Sequence, residues 1–131
     1  MAYCVWDIGG AHLKVAYADS KGKLLNVFQL PCALWKGIDA LTDTLQKALK
    51  QLPDAPISHY ITMTGELVDA FNNREEGVKA IVKCVDTHLK ADDLHFFAGQ
   101  SGWLNKKQAI LQWQDVASMN WQASAILAAK H

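Results

Sequence analysis

The chain has 131 residues, half of them hydrophobic and a fifth charged, enough for one domain with a sizeable core and too few for two ordinary ones. Thirteen basic residues balance thirteen acidic ones, so no net field recommends nucleic acid or an anionic membrane surface as partner. Three widely spaced cysteines lack the C-x-x-C pattern, and no apolar run approaches the roughly 20 residues needed to cross a bilayer. These features, with no basic, apolar leader at the N-terminus, predict a cytoplasmic protein with buried thiols rather than a disulfide or zinc framework.

Tyr3 to Ile8 and Leu13 to Asp19 read as two strands joined by a Gly9-Gly10 turn, because Leu13, Val15 and Tyr17 alternate with Lys14, Ala16 and Ala18. The turn signal D-S-K-G-K leads into a third strand, Leu24 to Leu30, closed by Pro31. The period then changes. Ile38, Leu41, Leu45, Leu49 and Leu52 form a helical stripe that Pro53 and Pro56 close. Ile57 to Thr64 is a fourth strand, broken by Gly65, with a helical turn over Glu66 to Phe71. Val78, Ile81, Val82, Val85 and Leu89 mark a long helix, capped by Asn72 or Asn73 and carrying Glu75 and Glu76 at its positive end. Leu94 to Gly99 is a fifth strand, and Gln100 to Gln114 is a loop or a short hairpin. Asp115 is placed to cap a last helix reaching about Ala129.

The order β-β-β-α-β-α-β-α predicts an α/β fold: a meander extended by parallel strands into a mixed sheet flanked by helices. That is the ribonuclease-H-like unit, one half of the actin, Hsp70 and sugar-kinase fold, in a single domain over residues 1–131.

The stretch V-W-D-I-G-G-A-H-L-K-V-A-Y places a carboxylate at a strand end, two glycines in the turn and a lysine on the next strand. Glycines can adopt positive φ and let a ligand approach backbone amides. Asp7 can hold Mg²⁺ through water, and Lys14 supplies a compact positive charge. The spacing D-x-G-x-x-x-x-K resembles the first phosphate loop of actin-like ATPases. The competing roles are a turn-capping carboxylate for Asp7 and a solvated lysine for Lys14.

Thr64, Gly65 and Glu66 follow the fourth strand, where open α/β sheets collect ligands and where Glu66 can lie across from Asp7; Thr64 and Glu66 can equally cap a helix. Arg74, the one arginine in the chain, has the planar fork that suits a diphosphate, or is a surface helix residue. Asn120 sits mid-helix at a propensity cost that a hydrogen bond into the site can offset. Trp6, Trp35, Trp103 and Trp113 read as core or interface packing, and His59, His88 and His95 as structural or surface residues.

The runs W-D-I-G-G-A-H-L-K-V-A, I-T-M-T-G-E-L-V-D-A-F-N-N-R-E-E-G-V and S-M-N-W-Q-A-S-A resemble the hydantoinase/oxoprolinase-related family linked to methylofuran biosynthesis in methanopterin-dependent C1 metabolism. The resemblance implies a transferase joining a tyramine-derived phenol to an aminomethylfuran diphosphate with release of pyrophosphate. It implies catalytic roles for Glu66 and Lys14, phosphate contacts from Gly9, Gly10, His12, Thr64, Gly65, Arg74 and Asn120, and magnesium at Asp7. His12 stands where the family more often has asparagine. Family members are more than twice as long, and the second phosphate strand would begin where this chain stops, at His131. A half-domain that self-associates or docks with a separate C-terminal half is therefore one expectation. An ATP-dependent hydantoinase-type hydrolase or small-molecule kinase is another, and a non-catalytic binding module a third. The expected ligands are Mg²⁺ with a pyrophosphate-type group or ATP; neither nucleic acid nor membrane is expected.

Overall fold

A computed structural model describes residues 1–89 and 93–117. Six strands form one sheet: β1 (Ala2–Ile8), β2 (His12–Ala18), β3 (Leu24–Pro31), β4 (Ile57–Met63), β5 (Leu94–Phe97) and β6 (Trp103–Leu104), in the spatial order β3-β2-β1-β4-β5-β6. The short turns after β1 and β2 leave no room for a crossover, so β1, β2 and β3 are antiparallel neighbours. Helix α1 (Ile38–Leu49) then carries the chain across, and β4 lies parallel to β1; helix α2 (Arg74–Leu89) does the same for β5 beside β4. This is the ribonuclease-H-like arrangement that the element order predicts.

Alternate residues of β1 divide the sheet into two faces. Cys4, Trp6 and Ile8 are fully buried together with their cross-strand partners Leu13 and Val15 of β2 and Ile61 and Met63 of β4. Against them pack Leu41 and Leu45 of α1 and Val78, Ile81 and Val85 of α2, the stripes read from the 3.6-residue period. Within this core Trp6 Nε1–H donates to His59 Nδ1 at 2.9 Å, which gives both polar atoms a partner. Tyr3, Val5 and Asp7 project to the opposite face, beside Tyr60 and Thr62. There an open groove of about 770 Å³ is lined by Tyr3, Val5, Ala16, Leu24, Tyr60 and Trp103.

The structure refines several expectations. Asn73, not Asn72, caps α2: its Oδ1 accepts from the Glu76 amide at 2.9 Å. The ambiguous stretch from Gln100 is a hairpin, with β6 antiparallel to β5, followed by a short helix α3 (Lys106–Leu111). Asn105 and Gln108 close a reciprocal capping box at the start of that helix. The last helix expected to reach about Ala129 falls mostly on residues 118–129, outside the described residues. Among the described residues Asp115 caps no helix and lies inside a one-turn helix α4 (Trp113–Val116), whose N-cap is Gln112. Its Oδ2 instead accepts from Ser101 Oγ at 3.4 Å. Trp35 is not core either: it is 58 % exposed, with Lys36 Nζ 5.1 Å from its ring centre. The cysteines are free and buried as expected, and burial pushes the Cys4 thiol up to about 12. No helix among the described residues is long and apolar enough to cross a membrane.

Candidate functional site

Asp7 is the penultimate residue of β1, an interior strand with neighbours on both sides. Its ladder partners are Lys14 on β2 and Thr62 on β4, and Lys14 in turn opposes Gln29 on β3. Directly opposed residues project to the same face, so a carboxylate, an ammonium, a hydroxyl and an amide form one row across four strands. Thr62 Oγ1 lies 3.4 Å from both Asp7 Oδ1 and the Trp6 carbonyl oxygen, so its proton tethers the carboxylate to the sheet. Lys14 and Gln29 are exposed, whereas Thr62 is buried and Asp7 half-buried.

The row ends at the glycine turn. The Gly9 amide donates to the His12 carbonyl at 3.0 Å and closes the hairpin. Main-chain bonds then fasten the turn on two sides: Cys32 N–H to Ala11 O at 2.8 Å, Leu34 N–H to Gly10 O at 3.2 Å and Thr64 N–H to Ile8 O at 2.9 Å. Among the described residues no hydrogen bond engages the amides of Gly10 or Ala11.

Positive φ, one of the two reasons expected for glycine here, is not used by this turn. The glycines with positive φ are Gly22, Gly37, Gly99 and Gly102; Gly9 and Gly10 are not among them. What the turn requires is room. A Cβ on Gly10 would stand 2.7 Å from Val68 Cγ1, and one on Gly65 would stand 2.5 Å from Leu34 Cδ2 and 3.4 Å from the Gly9 and Ile8 carbonyl oxygens. The turns leaving β1 and β4 are thus closely packed, and a methyl group on Gly10 or Gly65 would force the Val68 or Leu34 side chain to move.

Thr64, which precedes the 3-10 turn Gly65–Leu67, makes no side-chain cap to it, so its hydroxyl is not spent on that alternative role. Glu66 is only 2 % exposed. Its backbone and Cβ lie against α2, where a Cβ on Gly77 would come within 2.8 Å of Glu66 Cα, Cβ and O. Arg74 is the exposed first residue of α2. A helix that connects two parallel strands begins at their carboxyl ends, so Arg74 occupies the same rim as the two turns. His12 is exposed at the first position of β2. Asn120 lies outside the described residues.

The topology therefore gathers Asp7, Lys14, Gly9, Gly10, His12, Thr64, Gly65 and Arg74 at one end of the sheet, with Glu66 buried beneath. Two further residues escaped the reading of the sequence. Thr62 is adjacent to Asp7 only through the parallel pairing, which no local pattern encodes. Gly77 did leave a signal, a glycine in the interior of a long helix, where it costs about 1 kcal/mol relative to alanine. Among the described residues no three His, Cys, Asp or Glu side chains form a ready-made metal cluster. A single carboxylate is nevertheless a normal share for Mg²⁺, which takes most of its ligands from water and phosphate.

No family model matches the chain. Among curated proteins it is 29 % identical over 119 residues to a (4-{4-[2-(gamma-L-glutamylamino)ethyl]phenoxymethyl}furan-2-yl)methanamine synthase of Methanocaldococcus jannaschii. The match takes in 91 % of this chain and 34 % of that protein, so the chain spans about a third of its relative's length. Similar solved structures include an exopolyphosphatase from Cytophaga hutchinsonii, 16 % identical over 76 % of this chain and 35 % of that one, with a TM-score of 0.48. A Ppx/GppA family member from Aquifex aeolicus is 15 % identical over 72 % and 34 % of the two chains, with a TM-score of 0.46. At such scores these structures add nothing to the topology described above. The family resemblance carried by the T-G-E-L and R-E-E-G-V runs and the relative found by comparison coincide: over nearly its whole length this chain is similar to a synthase of methylofuran biosynthesis.

Proposed function

We propose that this chain is the first phosphate-binding part of a methylofuran-type transferase, one that joins a tyramine-derived phenol to an aminomethylfuran diphosphate. The observation that carries the reading is the Asp7–Lys14–Thr62 row, set at the carboxyl ends of two parallel strands in a chain related to such a synthase. In the reaction the phenol oxygen bonds to the furfuryl carbon, the bond from that carbon to the diphosphate breaks, and pyrophosphate leaves with the electron pair. Asp7 would hold magnesium through water, and the ion would supply positive charge to the departing oxygens. Lys14 and the Gly10 and Ala11 amides face the same group, while Arg74, His12 and Thr64 bound it along the rim. Charge on the diphosphate grows as the bond breaks, so fixed positive groups stabilise the transition state more than the ground state. Glu66 takes the phenol proton, directly or through water.

Calorimetric titration with Mg²⁺–pyrophosphate, beside Mg²⁺–ATP, tests the cradle. Binding is expected to require magnesium, to favour pyrophosphate and to weaken roughly tenfold or more in Asp7→Ala and Lys14→Ala, the usual worth of a charge-assisted contact. Equal affinity in Asp7→Ala and the parent chain, or no binding at all, would remove the assignment. A preference for ATP would move the chain to nucleotide chemistry.

A further inference from the structure

The two edges of the sheet are built in opposite ways. On one side β6 has two residues, too few to template another strand. On the other, β3 runs for eight residues, L-L-N-V-F-Q-L-P, with no charged side chain. Among the described residues no strand pairs with its outer side. Leu24, Leu25 and Val27 are 58 %, 53 % and 61 % exposed, a strip of branched apolar side chains beside a row of outward main-chain groups. The devices that normally blunt an edge are a lysine, a proline within the strand, or a bulge that twists the edge away. The one proline is terminal. The one irregularity puts an extra residue, Leu25, between the pairs Tyr17↔Asn26 and Ala18↔Leu24, and Asn26 to Pro31 continue in regular register.

We infer that β3 is a homodimerisation edge, on which the β3 of a second copy of this chain adds in antiparallel register. Three observations select that occupant. Outward N–H and C=O groups are satisfied by a strand, which an apolar small molecule cannot replace. The strip carries no charge with which to select an acidic or basic partner. It also complements itself: a two-fold axis through Val27 sets this most exposed of its apolar side chains against its own copy, with Asn26 opposite the partner's Phe28. Pairing about an axis normal to the sheet keeps the helices of both copies on one side and yields a continuous twelve-stranded sheet. One strand pair is a small interface, below about 1,200 Å², so the dimer is of the weak, concentration-dependent class. The inference is independent of the chemistry proposed for the glycine turn, which lies on another strand connection.

Sedimentation velocity from low micromolar to several hundred micromolar tests it. The parent chain is expected to shift from monomer toward dimer across that range. Val27→Lys, which sets two like charges face to face at an already exposed position, is expected to remain monomeric with an unchanged circular dichroism spectrum. Val27→Cys is expected to form a covalent dimer on mild oxidation of the folded protein, and the folded parent chain, whose three cysteines are buried, is not. A parent chain that stays monomeric throughout, a Val27→Lys chain that dimerises as strongly as the parent, or a dimer that Val27→Cys does not cross-link would each overturn the assignment.

Discussion

Acid should weaken the fold through one buried histidine. His59 is 5 % exposed, and its Nδ1 accepts the indole N–H of Trp6 at 2.9 Å, so the ring must be neutral at that nitrogen. Burial lowers its pKa from an ordinary 6.5 to about 4, against a smaller opposing pull from Asp93, whose carbonyl also accepts the His59 amide. The unfolded chain therefore takes up a proton near pH 6.5, while the folded chain resists until about pH 4. Between those values the unfolded state binds more protons, so stability falls as pH falls, at about 1.4 kcal/mol per pH unit, for a total near 3 kcal/mol. Above pH 6.5 this contribution is complete; below about 4 nothing remains to be lost. Urea melts read by tryptophan fluorescence at intervals from pH 7.5 to 4 give the curve. In His59→Gln, whose amide oxygen can still accept from Trp6, the segment of slope belonging to His59 should vanish while other acid-labile groups continue to act. Parallel parent and His59→Gln curves across pH 6.5 to 4 would refute the assignment.

Gly77→Ala gains about 1 kcal/mol of helix propensity but forces a methyl group to within 2.8 Å of Glu66 backbone atoms, which no rotamer change relieves. Overpacking of that kind costs about 1–3 kcal/mol, so the urea midpoint is expected to fall; a rise would show that the 3-10 turn yields freely. The three cysteines, all buried and with thiols raised by burial, should resist iodoacetamide at pH 8 in the folded protein and take up three adducts in urea. Rapid labelling of the native chain would show that the core opens more readily than its packing implies.

How much of this was legible beforehand depends on the range of each determinant. The alternation of Leu13, Val15 and Tyr17 and the helical stripes of α1 and α2 are local, and they placed those elements to within a few residues. The order of elements then implied that β1 and β4 are neighbours, because crossover handedness and parallel pairing are general rules. Strand β6 could not be read: two residues cannot display a period. For Trp35 the sequence could not separate core from surface, because a tryptophan carries the same hydrophobic weight whether or not a neighbour covers it. The glycine turn was located correctly, but the positive φ expected of it is absent, and the close approach of Val68 to Gly10, dozens of residues away along the chain, could not be read locally. Separation along the chain likewise hid the tether from Thr62 to Asp7, and the contact between Gly77 and Glu66 depends on how the 3-10 turn folds back against α2.

The three-residue link between Ile8 and His12 also acts as a ruler. Because side chains alternate, its length decides that Lys14 rather than Leu13 or Val15 stands opposite Asp7. Removing or adding one residue there would move the lysine into the core and expose a valine or leucine at the rim, spoiling site and hydrophobic interior in a single stroke. The β2–β3 connection has no such burden. Its Asp19 carboxylate gathers the Lys21 and Lys23 amides at 2.9 Å each, and the bulge beside it already absorbs an extra residue. Length variation among relatives should therefore collect in that loop and spare the first hairpin.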